Sequence, residues 1–249
     1  MRIRSEVFHV PKMGNTEQEY EDAFWPLVDL DQKLQTLMFA IADGATETSF
    51  ASVWAQLLVK AYCAGKINQR LQPAALAELQ QEWSAAVPSD SLPWYAEEKL
   101  RSGAFSSLLG VTLYQRRNGS IGWRAIAIGD SCLFHIRNNQ VAAAFPLDRS
   151  EAFNSRPFLL SSVRTRDEQG PQNVLTLRGE LQVEDDLYLM TDALACWFLR
   201  LTEEGKEPWK LRPTGHFKRW IKSLREKKKL KNDDVTLIRI ECLSDEQDS

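Results

Sequence analysis

Residues 107–144 read SLLGVTLYQRRNGSIGWRAIAIGDSCLFHIRNNQVAAA. Four short apolar runs, Ser107–Tyr114, Gly122–Ile128, Cys132–Ile136 and Gln140–Ala144, are separated by Asn118-Gly119, Gly129-Asp130 and Asn138-Asn139, pairs suited to tight turns. Strands joined in this way predict an antiparallel meander. A parallel doubly wound sheet would need helix and strand to alternate here, and they do not. Working outward, Leu37–Ala42 is a continuous apolar run that stops at Asp43-Gly44, as a strand buried on both faces would. Ile3–Val10, Val174–Arg178, Asp186–Thr191 and Val235–Glu241 also have strand character. Helices are predicted over Glu47–Ala64, Pro73–Ala86, Pro93–Ala104, Ala193–Leu201 and Pro208–Leu224. In the first, Phe50, Val53, Trp54, Leu57, Leu58 and Ala61 form one apolar stripe. The expected fold class is α+β: a central antiparallel β-sandwich of two sheets flanked by α-helices. Residues 1–249 read as one domain, with a polar excursion at 149–173 and a short acidic tail at 244–249.

The chain has 249 residues, 43% of them hydrophobic, and a net charge of −3. It can bury a core, and its near-neutral charge argues against nucleic acid as a partner. The longest stretch without a charged residue, Ser102–Gln115, has 14 residues, short of the roughly 20 that a membrane-spanning helix needs. The first ten residues lack an apolar run followed by small residues, so a cytoplasmic, membrane-free protein is expected. Cys63, Cys132, Cys196 and Cys242 lie far apart, with neither zinc-knuckle nor CxxC spacing, and read as reduced thiols. His9, His135 and His216 are equally scattered. A metal in this protein would therefore be held mainly by carboxylates, which suit Mg²⁺, Mn²⁺ or Ca²⁺ better than zinc.

Acidic residues interrupt apolar structure at five places. Glu21-Asp22 precede Ala23-Phe24-Trp25, Asp43 ends a buried strand, Asp130 sits in a turn, Asp192 ends Leu187–Met190, and Asp233-Asp234 lead into Val235. Any one of them could simply cap a turn or a helix. A carboxylate at the end of a buried strand is costly to desolvate unless a cation or donor compensates, and five in one fold point to a shared cation.

The segments around these acids, in order, resemble the type 2C (PPM) protein phosphatases. Tyr20-Glu21-Asp22 is similar to that family's NED element, and Phe39 to Ala45 to its strand ending in Asp-Gly. GAFSSLLGVTL at 103–113 resembles the SGTTA element, and Ala127 to Cys132 the GDSR element. Asp186 to Leu194 resembles the strand ending in SDGL, and Asn232 to Thr236 the closing DNxT. The resemblance, to a divergent member of bacterial type, implies a four-layer α-β-β-α fold and two or three Mn²⁺ or Mg²⁺ ions. By resemblance, Asp22, Asp43, Asp192 and Asp233 hold the two-metal centre, with Asp43 bridging. The Gly44 carbonyl adds a ligand, Glu21 acts through water, and Asp130 helps hold a third ion. The implied activity is hydrolysis of phosphoserine or phosphothreonine in a protein by in-line attack of a metal-bridging hydroxide. A phosphorylated protein and a partner Ser/Thr kinase would be the partners of a monomeric enzyme. The polar excursion at 149–173 takes the place of the family's flap.

The chain departs from the pattern at several positions. Glu17 stands where the family usually has a phosphate-gripping Arg, and an acid repels phosphate. Lys12, His9, Arg164 and Arg166 are the candidate replacements, each with a plain surface role as its alternative. Ala45 and Ala193 stand where glycine is usual, with a possible cost in backbone freedom. Asp234 replaces Asn beside a ligand. The basic run Arg225–Lys231 reads as a solvated helix end or as an attractor of acidic phosphoproteins. Glu17, Ala45 and Ala193 leave open a second reading, a weakly active or inactive homologue that binds and regulates a phosphoprotein or kinase.

Overall fold

The structure, a computed structural model, describes residues 1–26, 30–33, 36–45, 50–87, 100–153, 157–164, 174–211 and 216–244. In chain order the strands are β1 (Arg2–Val10), β2 (Ala23–Trp25), β3 (Leu30–Lys33), β4 (Leu37–Ala42), β5 (Phe105–Ser106), β6 (Leu108–Gln115), β7 (Ile121–Ile128), β8 (Cys132–Arg137), β9 (Gln140–Phe145), β10 (Leu160–Ser161), β11 (Leu175–Leu181), β12 (Asp186–Met190) and β13 (Val235–Leu243). The helices are α1 (Ala51–Cys63), α2 (Pro73–Ala86), α3 (Asp192–Glu203) and α4 (Phe217–Glu226).

One sheet runs β3-β1-β13-β12-β8-β9, the other β11-β7-β6-β4-β2, and β10 pairs with β5 beside them. All pairings are antiparallel. The inner faces meet in a core of Ile3, Phe39, Ile41, Leu109, Val111, Trp123, Leu133, Leu187, Leu189, Ile238 and Ile240. The outer face of the five-stranded sheet is covered by α1 and α2 through Trp54, Leu58, Tyr62, Leu79 and Trp83. On the other side, α3 and α4 cover the six-stranded sheet through Leu194, Trp197, Phe198, Phe217 and Ile221. These are the expected four layers. Every strand near the middle is therefore buried on both faces, which explains the lack of polar alternation in Leu37–Ala42, Leu108–Leu113 and Val235–Cys242.

The expected meander is corrected. β6-β7 and β8-β9 are hairpins, but they belong to different sheets, so the chain crosses the sandwich at Gly129–Ser131. Gly129 makes the crossing at φ +95°, and a Cβ there would lie 2.6 Å from the Ser107 Cβ. Only glycine fits such a backbone and such a contact. The helix expected over Pro208–Leu224 is divided into a 3₁₀ turn, Pro208–Lys210, and α4. The predicted helix at Pro93–Ala104 and the start of the one from Glu47 lie mostly outside the described residues. So does most of the excursion at 149–173, where a 3₁₀ turn (Ser150–Ala152) and β10 are described. No helix among the described residues is long and apolar enough to cross a membrane.

Candidate active site

The topology brings the five acidic positions to one end of the sandwich. Asp43 leaves β4, Asp130 lies in the crossing between sheets, Asp192 opens α3 after β12, Asp233 precedes β13, and Asp22 precedes β2. Their charges act on one another. Asp43 is half-buried, and its carboxyl is pushed well above the ordinary range, by desolvation first and then by Asp22, Asp192, Asp130 and Asp233. Asp22 is 3% exposed and is also pushed far up, by burial first. A hydrogen bond from Thr236 Oγ1 to its Oδ2 (2.7 Å) works against that rise, and the charges of Asp234 and Asp192 add to it. The Asp130 carboxyl rises to about 6 through burial and the neighbouring Asp192. Desolvation raises all three, and repulsion among the carboxylates adds to it.

Local hydrogen bonds fix the frame of the cluster. The Asp43 amide donates to Ser107 Oγ (3.0 Å), which shares a hydrogen bond with Ser131 Oγ (2.7 Å). The Asp43 carbonyl accepts from the Ser107 amide (2.9 Å) and from Ser106 Oγ (2.8 Å). Gly44 bridges to Ser106, and a Cβ at Gly44 would stand 2.5 Å from the Glu21 carbonyl oxygen. Glycine thus lets the Asp22 and Asp43 segments touch. Neither Ala45 nor Ala193 takes a positive φ, so neither needs the freedom of the glycine it replaces. Ala193 lies in the first turn of α3.

Several residues that the sequence named without a defined role complete the site. Asp234 accepts the amides of Lys12 and Glu21, both at 2.7 Å, tying two segments to the start of β13. Arg225 is 7% exposed and donates to the Pro11 carbonyl at 2.8 Å and to the Asp233 carbonyl. The Tyr20 hydroxyl is hydrogen-bonded to Thr236. Lys231 Nζ sits 2.7 Å from Asp233 Oδ2 and 3.2 Å from Asp192 Oδ2. Charge patterning could mark the basic run, but not which of its lysines turns toward the acids.

The candidate phosphate binders are divided. Lys12 is at the site, with Nζ 3.4 Å from Glu21 Oε2. His9 packs against Tyr20 and Phe24, with Nε2 3.7 Å from Glu17 Oε2, and burial lowers its pKa, favouring the neutral ring. Arg164 is exposed, three residues beyond β10, the strand that pairs with Phe105-Ser106. Arg166 lies outside the described residues. Glu17 is held by Lys218 Nζ at 2.6 Å.

The donor set suits a hard divalent cation, being all oxygen. Asp22 Oδ1 is buried without a hydrogen-bond partner, an expensive arrangement unless a cation faces it. Among the described residues no group of three or more His, Cys, Asp or Glu side chains stands close enough together to hold a metal ion as placed.

Comparison with known proteins bears on the family and the fold. The family profile described as protein phosphatase 2C matches residues 16–234. The serine/threonine phosphatase PstP/Ppp of Mycobacterium tuberculosis superposes with a TM-score of 0.61 at 12% identity, over 98% of this chain and 100% of its own. A second structure, the catalytic domain of PstP in complex with two manganese ions, gives 0.61 at 13% identity, over 98% and 99%. PppA of Pseudomonas aeruginosa gives 0.55 at 17% identity, over 96% and 97%. At such identities these likenesses establish the fold. A search of curated proteins returned no sequence match. With the profile spanning most of the chain and the two-sheet, four-layer architecture shared, this chain belongs to the protein phosphatase 2C family.

Proposed function

We propose that the protein is a metal-dependent serine/threonine phosphatase acting on phosphoproteins, with Asp22, Asp43, Asp192 and Asp233 holding two Mn²⁺ or Mg²⁺ ions. Asp130 would help hold a third ion, the Gly44 carbonyl would add a ligand, and Glu21 would act through water. The observation that carries this reading is the placing of Asp22, Asp43, Asp130, Asp192 and Asp233 at element ends on one end of the sandwich, with Asp22 Oδ1 buried and without a hydrogen-bond partner. Gathering five self-repelling carboxylates costs stability, and cations offset that cost. When bound, such ions activate water at neutral pH and offset charge on a phosphoryl group. The chain's own residues orient the site. Ser107 and Ser131 fix the Asp43 backbone, Thr236 fixes the Asp22 carboxylate, and Asp234 holds Lys12 and Glu21 beside the acids. Lys12, ahead of the neutral-leaning His9, is the better placed cation for a substrate phosphate. The phosphatase would oppose a Ser/Thr kinase in the cytoplasm and work as a monomer.

The weakly active or inactive reading draws on Glu17, whose pairing with Lys218 puts an exposed acid on the loop that leads to the site. Hydrolysis of p-nitrophenyl phosphate separates the two. The expected result is Mn²⁺-dependent turnover by the wild type, reduced at least 100-fold by Asp43→Asn. Absence of turnover by wild-type protein with metal demonstrably bound overturns the enzyme reading and leaves the binding one.

A further inference from the structure

We propose that Lys231 is an intramolecular competitor for the metal, its ammonium holding Asp192 and Asp233 and so setting the affinity of the site for divalent cations. This rests on the metal-centre reading above. The two contacts, 2.7 Å to Asp233 Oδ2 and 3.2 Å to Asp192 Oδ2, reach acids from two different elements, the segment before β13 and the first turn of α3. The ammonium therefore bridges the site rather than decorating one of its walls.

The burial is asymmetric. The Lys231 side chain is 65% exposed, whereas those of Asp192 and Asp233 are 18% and 21% exposed. The lysine thus approaches the acids from the solvent side, where it can swing away without disturbing the core. Its tether is short, because the Asp233 amide donates to the Lys231 carbonyl at 3.1 Å. A lysine amine exposed to solvent carries its positive charge at neutral pH. Asp130 also feels that positive charge.

The ammonium has two opposing effects. It offsets the repulsion among Asp130, Asp192 and Asp233 in the metal-free protein. It also occupies carboxylate oxygens that a divalent ion would use, and a positive charge left nearby repels that ion. An exposed ammonium holds a carboxylate only weakly, so the competitor lowers metal affinity without abolishing it.

The test is calorimetric titration of the full chain with MnCl₂ at pH 7.5, with no substrate present, on wild type, Lys231→Met and Lys231→Arg. Lys231→Met should bind Mn²⁺ about tenfold more tightly, corresponding to two weak ion pairs removed. Lys231→Arg keeps the cation and should stay within about threefold of wild type. Mn²⁺ binding by wild type and Lys231→Met with equal affinity, or more weakly by Lys231→Met, overturns the role of Lys231 while leaving the metal centre standing. Failure of both proteins to bind Mn²⁺ overturns the metal centre, and the competitor with it.

Discussion

Removing the Asp185 carboxylate should destabilise the protein at the end of the sandwich away from the acidic cluster. Asp185 is 2% exposed and lies just before β12. It accepts from Arg137 Nη2 at 2.6 Å, from Arg137 Nε at 3.0 Å, from His135 Nε2 at 2.9 Å and from the Gln182 amide at 2.8 Å. Asp185→Ala strips the partner from a buried imidazole and a backbone amide, and from a guanidinium whose side chain is 28% exposed. Breaking a buried ion pair on one side costs about 3–5 kcal/mol. Because Arg137 keeps partial access to water, the lower end, about 3 kcal/mol, applies. For a chain of this size that lowers Tm by about 6–12 °C. Burial alone would raise the Asp185 carboxyl, but Arg137, the Gln182 amide and His135 together hold it below the ordinary range. A depressed carboxylate contributes its stability above the unfolded value of about 3.9 and loses it as pH falls through the lower folded value. The gap between variant and wild type should therefore be full at pH 7 and narrow in acid below about pH 4. Urea unfolding followed by tryptophan fluorescence across that range measures it. A difference under about 1 kcal/mol at pH 7, or a gap that widens in acid, would refute the reasoning.

Two further substitutions probe the frame of the site. Gly129→Ala places a methyl 2.6 Å from the Ser107 Cβ on a backbone at φ +95°. It should cost about 1–3 kcal/mol in urea unfolding. An unchanged midpoint would mean that the crossing can relax. Arg225→Met removes donors from the Pro11 and Asp233 carbonyls while keeping apolar bulk. It should cost about 1–3 kcal/mol in thermal unfolding without metal. A Tm equal to that of wild type would show that water replaces both bonds.

Much of this architecture is written in local chemistry. Leu37–Ala42 and Pro73–Ala86 have in the structure the bounds their residues predict, because an apolar run closed by Asp-Gly and an apolar stripe opened by proline are each self-contained signals. β2 and β3, with three and four residues, are too short for periodicity to show. The change of sheet at Gly129 is invisible for another reason. A strand buried on both faces has the same composition whichever sheet it joins. At the site, acids that end apolar runs stand out, Asp234 among them, whereas the parts played by Tyr20 and Arg225 depend on bonds to segments about 200 residues away. Such distant pairings leave no trace in spacing.

The pairing of β1 with β13, residues 2–10 against 235–243 in unbroken register, has a consequence for synthesis. β13 also separates β1 from β12, so the middle of the six-stranded sheet awaits the most distant partner in the chain. Closing a loop of more than 200 residues is slow compared with forming local hairpins. A nascent chain that has not reached β13 can make the hairpins β6-β7 and β8-β9 and pair β1 with β3, but it cannot join β1 to β12. The six-stranded sheet would then close in one late step, and the acidic end of the sandwich would be complete only after it.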